Sequence, residues 1–118
     1  KGRNTVTRIL GGCVIAESFA SGPPENFDGM SHSTWDRESR RWKQAWVDNT
    51  GAWLDFTGGW EDGKMVLARE AVKDGKRLRQ RMVFYAIGKD SLKWNWEKSG
   101  DEGSTWTVLW QIDYTRRK

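Results

Sequence analysis

Apolar and polar residues alternate in short runs along this chain, and Gly, Asp, Asn or Pro clusters recur between the runs. This pattern predicts consecutive antiparallel strands, about eight of them. The first is expected over residues 4–10, with Gly11-Gly12 permitting a sharp bend into a second over residues 13–20. Ser21-Gly22-Pro23-Pro24-Glu25-Asn26 reads as a loop. A third strand follows over residues 27–35, and the charged segment 36–40 turns the chain.

The stretch 41–60 holds four of the nine tryptophans, and Trp42, Gln44, Trp46 and Asp48 recur at a spacing of two. One side of a strand therefore carries Trp, Gln, Trp and Asp together, unlike an ordinary apolar face. Asp48-Asn49-Thr50-Gly51 suits a type I turn with a bulge, making a three-residue hairpin loop. That loop would pair Asp48 with Ala52 and Trp46 with Leu54, placing Trp42, Gln44, Trp46, Asp48, Leu54 and Phe56 on one face. A two-residue loop would instead set Trp53 and Asp55 beside Trp46.

Gly58-Gly59 and Asp62-Gly63 are further punctuation. Asp74-Gly75 then suits a type I′ turn, which sets Ala71 opposite Leu78, Leu67 opposite Met82, Met65 opposite Phe84 and Glu70 opposite Arg79. The same register sets Arg69 opposite Gln80 on the apolar face. Residues 64–73 also have helical propensity, but the matching of apolar to apolar and charge to opposite charge favours a strand. The last two strands are expected over residues 92–98 and 104–115. Leu92, Trp94 and Trp96 share one side of the first, and Trp106, Val108, Trp110, Ile112 and Tyr114 share one side of the second. No helical period separates the strands, so a parallel sheet is not expected. The fold class is all-β, an antiparallel up-and-down meander that would remove its exposed edges by closing into a barrel.

At 118 residues the chain is expected to form a single domain. Its formal charge is +4, with the two signs interspersed except at Arg77, Arg79 and Arg81 and in the tail Arg116, Arg117 and Lys118. No recognition motif accompanies these residues, so they read as solvated charge and not as a nucleic-acid site. The single Cys13 excludes an intrachain disulfide and, lying in an apolar run, is expected to be a buried, inert thiol. No stretch reaches the roughly 20 apolar residues of a membrane span. The chain begins at Lys1 without Met, so the reading allows a soluble protein, cytoplasmic or exported after removal of an upstream segment.

Four segments carry a resemblance. They are Ile9-Leu10-Gly11-Gly12-Cys13-Val14 with Glu17, Arg41-Trp42-Lys43-Gln44-Ala45-Trp46-Val47-Asp48 with Gly51, Asp62-Gly63-Lys64-Met65-Val66-Leu67, and Ser99 with Asp101, Gly103, Thr105 and Trp106. Together they resemble a bacterial domain family of unknown function with a lipocalin-like, calycin-type barrel, over nearly the whole chain and in order. The W-x-Q-x-W-V-D segment is the more specific part. Two departures stand out. Family members usually open with an aromatic strand containing Gly-x-Trp, so the resemblance implies that a first strand is lacking here. Trp94 stands where the family pattern has Gln, implying a more apolar cavity. The resemblance implies a fold and a pocket but no established activity.

Expected on the core side are Glu17, Gln44, Asp48, Arg69 and Gln80, either satisfying one another or contacting a ligand. A Glu17–Arg69 pair, or Gln44 bonded to backbone, would be the structural use. Asp48 also suits the turn. Trp46, Trp94, Trp96 and Trp110 either fill the barrel or form an aromatic wall around a ligand. Trp53 and Trp60 lie near turns, where exposure is expected. His32 is the sole histidine and lies with Asp28 and Met30 on a strand whose inward side the pattern leaves unassigned. No cofactor or metal site is implied, and no catalytic triad, P-loop or dinucleotide fingerprint is present. The leading expectation is a module binding a small hydrophobic or aromatic ligand. The alternatives are an enzyme using Glu17, Asp48 and Arg69 in the same cavity, and an interaction domain forming a homodimer through an open sheet edge.

Overall fold

A computed structural model describes residues 2–117. Nine strands follow one another: β1 (Arg3–Ile9), β2 (Val14–Ala20), β3 (Asp28–Asp36), β4 (Arg41–Asp48), β5 (Trp53–Glu61), β6 (Lys64–Lys73), β7 (Lys76–Tyr85), β8 (Ser91–Ser99) and β9 (Thr107–Thr115). Their order in the sheet is their order in the chain. The fold is thus an all-β, antiparallel up-and-down meander of the lipocalin-like kind, with nine described strands where about eight were expected. The chain divides into two compact units, Lys1–Thr57 and Gly58–Lys118, and the division falls inside β5 between Thr57 and Gly58.

In the first unit, β1 pairs with β2, β2 with β3, and β3 with β4. The β1–β2 link is a short 3-10 turn, Leu10–Gly12, in which three successive residues have positive φ. Cys13 follows it and is exposed, correcting the expected buried thiol. It lies in the turn between β1 and β2, outside either strand. The loop after β2 closes where Ser21 N–H donates to the Phe27 carbonyl at 2.9 Å and Phe27 N–H donates to Ser21 Oγ at 2.8 Å.

The turn after β4 is the type I turn that Asp48 and Gly51 imply. Gly51 N–H donates to the Asp48 carbonyl at 3.0 Å, and Gly51 has φ 86°. Leu54 and Phe56 are withdrawn from solvent while Trp53 and Asp55 are exposed, the alternation expected of a three-residue loop. Phe56, 2% exposed, and Phe19 anchor the core of this unit.

In the second unit, Asp62-Gly63 and Asp74-Gly75 each have positive φ at both residues, as a type I′ turn requires. The β6–β7 register is Met65 with Phe84, Leu67 with Met82, Arg69 with Gln80, Glu70 with Arg79 and Ala71 with Leu78. Each of these pairs agrees with the sequence reading. β7 pairs with β8 and β8 with β9. Leu67, Met82 and Val83 are buried. Met82 and Val83 point to opposite faces, so this unit buries apolar surface on both sides of its sheet.

The final strand departs from expectation. It starts at Thr107 and not at Ser104, and its register with β8 shifts at Trp96/Glu97. Trp96 pairs with Trp110 and Glu97 with Val108, leaving Leu109 as the extra residue of a bulge. The bulge breaks the alternation, so Trp106 and Val108 do not continue the face of Trp110, Ile112 and Tyr114.

Candidate functional site

Residues directly opposite each other on paired strands share a face, which gives the first unit three rows across β2, β3 and β4. They are Phe19–Gly29–Asp48, Glu17–Ser31–Trp46 and Ile15–Ser33–Gln44. On β1, Asn4 lies opposite Phe19 and Val6 opposite Glu17. The Trp46 ring occupies the space that Gly29 leaves, since a Cβ there would sit 2.1 Å from Trp46 Cζ2. The same ring stacks on Phe27, with centroids 6.2 Å apart and planes at 25°.

The polar groups on this face are joined by neutral donors. The Glu17 carboxylate accepts from Asn4 Nδ2 at 2.9 Å and from Ser31 Oγ at 2.8 Å. Gln44, 7% exposed, donates through Nε2 to Ser33 Oγ at 3.0 Å, so its partner is a side-chain hydroxyl where backbone was expected. Among the described residues, Asn4 Oδ1 and Gln44 Oε1 are buried without a hydrogen-bond partner.

Asp48 is committed differently. Its Oδ2 accepts from Trp46 Nε1 at 2.8 Å, and its Oδ1 accepts from the hydroxyl and backbone N–H of Thr50 and from Ala52 N–H. Burial is the largest single influence and pushes its pKa up. The hydrogen bonds from Thr50, Trp46 and Ala52 together outweigh it and hold the carboxyl below its ordinary value. Such a carboxylate is a turn-former and a poor proton acceptor.

In the second unit, Met65, Leu67, Met82, Phe84, Trp94, Trp96 and Trp110 share a face with Arg69 and Gln80. Arg69 Nη1 donates to Gln80 Oε1, while Arg69 Nε is buried without a partner. Trp94 and Trp110 meet edge to face, with centroids 5.7 Å apart and planes at 85°. Trp110 lies at the border and is 39% exposed.

The opposite face of this unit holds a second polar network. Arg81 Nε donates to Glu97 Oε1 at 2.7 Å, Asn95 Nδ2 to Glu97 Oε2 at 3.0 Å, Tyr85 Oη to Asn95 Oδ1 at 3.1 Å, and Gln111 Nε2 to Tyr85 Oη at 2.8 Å. The Trp106 indole lies over the Arg81 guanidinium, 3.8 Å from centroid to Cζ. The loop that carries Trp106 there is knotted by Ser99 Oγ, which donates to Asp101 at 2.7 Å and accepts from Gly103 N–H at 2.9 Å. Asp101 is drawn down to about 2, chiefly by the Thr105 hydroxyl and then by Thr105 N–H and Ser99.

The nine sequence-derived candidates thus fall into two groups. Glu17, Gln44, Trp46 and Asp48 share one face of the first unit, and Arg69, Gln80, Trp94, Trp96 and Trp110 share one face of the second. Trp53 and Trp60 are exposed as expected. His32 lies with Asp28 and Met30 on the solvent-exposed side of β3, opposite Ala16 and Ala45. Among the described residues no group of three or more His, Cys, Asp or Glu could hold a metal ion, and no helix is long and apolar enough to cross a membrane. The sequence reading missed Asn4, Ser31 and Ser33, and on the far face Glu97 and Asn95. Counting register back through the Leu10–Gly12 turn is the signal that finds Asn4. A scan against protein-family models and a search of curated proteins found no match to this chain.

Proposed function

We propose that this chain is a binding module for a small hydrophobic or aromatic molecule, held against sheet faces that combine tryptophan with sparse polar groups. The observation that carries this reading is the set of unpartnered buried polar atoms. Asn4 Oδ1 and Gln44 Oε1 lie on the face of Trp46, and Arg69 Nε lies on the face of Trp94 and Trp96. Leaving such a group unsatisfied costs roughly 1–3 kcal/mol, and most buried polar side-chain atoms have a partner. On either face taken by itself, a ligand with an apolar body and one or two polar atoms would supply what that face lacks. This function accords with the lipocalin-like resemblance of the sequence.

The test is native mass spectrometry of protein purified from its source, paired with tryptophan quenching by a panel of lipids and aromatic compounds. A bound mass and a saturable quench by at least one compound are expected. The reading fails if the protein carries no adduct and no compound quenches.

A further inference from the structure

The polar atoms of the first unit also fix the charge that its aromatic face would accept. Glu17 is half-buried, and among the described residues its carboxylate has no ion-pair partner. Its two bonds come from a neutral amide and a neutral hydroxyl. Because a carboxylate only accepts, the Asn4 amide must turn its NH2 to Glu17, which leaves Oδ1 as a buried free acceptor. Gln44 presents a second buried free atom, Oε1. Its hydroxyl partner would tolerate either amide orientation, so the preference for donors rests on Glu17 and Asn4.

Resting on the binding-module reading, we propose that this face takes an organic cation: a primary or secondary ammonium, or an amidinium, carried on an apolar body. Glu17 would supply the opposite charge and, with Gln44 Oε1, would accept the headgroup's N–H bonds, Asn4 would hold Glu17 in place through Nδ2, and Trp46 with Phe27 would pack the body. The strand spacing puts the Cα atoms of Glu17 and Gln44 about 12 Å apart, a span that two long side chains and one headgroup can bridge. An anionic ligand would set charge against Glu17 and acceptor against acceptor. A bare metal ion would leave the aromatic rings without a role.

The experiment is isothermal titration of the full chain with phenethylamine, 2-phenylethanol, phenylacetate and calcium, repeated on Glu17→Gln. Phenethylamine is expected to bind at least roughly tenfold tighter than 2-phenylethanol, the scale of one charge-assisted hydrogen bond, with phenylacetate weakest. Glu17→Gln is expected to abolish that preference. The wild-type ranking needs no variant, so a misfolded Glu17→Gln protein leaves the comparison intact. Equal or tighter binding of the alcohol or phenylacetate overturns the proposal while sparing the binding-module reading, as does binding of calcium without the amine. If none of the organic probes binds and the broad panel also fails, both readings fall.

Discussion

Gly29 and Gly58 are the residues at which the backbone leaves least room. A Cβ on Gly29 would meet the Trp46 ring, whereas one on Gly58 would lie 1.9 Å from the Val66 carbonyl oxygen. A ring can shift, but a backbone carbonyl in a neighbouring strand moves only with its strand. Gly29→Ala should therefore cost about 1–3 kcal/mol, as overpacking does, and Gly58→Ala more, measured by urea unfolding of both variants. The reverse ranking would contradict the reading. Asp48 invites a second measurement. Its folded-state value lies below the ordinary 3.8, so its contribution to stability is complete above that value and is lost as pH falls through the lower, folded one. Wild type should exceed Asp48→Asn in stability at neutral pH, and the gap should close on acidification. A gap that widens in acid would rule out the assignment.

Among the elements, β8 and its loop to β9 hold the strongest polar coupling. Glu97 is 7% exposed and is balanced by Arg81, which is itself sandwiched between the carboxylate and the Trp106 indole. Removing one member strands a buried charge, so Arg81→Met should cost about 3 kcal/mol. Arg81→Met combined with Glu97→Met should cost less than the sum of the two single changes. Additive losses in that double-mutant cycle would show the pair to be uncoupled. This part of the molecule was the least legible in the sequence. The β6–β7 hairpin could be read pair by pair because a two-residue turn fixes register locally. The bulge at Leu109 leaves only a faint mark, three consecutive apolar residues at Val108, Leu109 and Trp110 in a run that otherwise alternates from Thr105 to Tyr114. What overrides the alternation is the loop itself, where Ser99, Asp101 and Thr105 bind one another and send Trp106 to the far face. Asn4 was overlooked for a related reason. Its place beside Glu17 depends on a turn with three successive left-handed residues, which belongs to no common hairpin type.

For the molecule as a whole, ligand occupancy should register as stability. An amine at a hundred times its Kd would add about 2.7 kcal/mol, raising Tm by roughly 10 °C for a chain of this size. Calorimetric scans with and without phenethylamine check this, and an unchanged Tm at saturating amine would count against a folded-state site. The overall meander and the faces of the candidate residues were legible because period-two alternation survives in most strands. The partners of those residues were not, because hydrogen bonds between strands depend on register and rotamer.

The exposure of Cys13 bears on how such experiments are run. It is the chain's only thiol, so a maleimide dye will attach at one defined point on the β1–β2 turn without any engineering. The same accessibility lets air join two molecules through a disulfide. A dimer seen in sedimentation therefore speaks for strand-edge pairing only if it survives reductant, and Cys13→Ser separates the two cases.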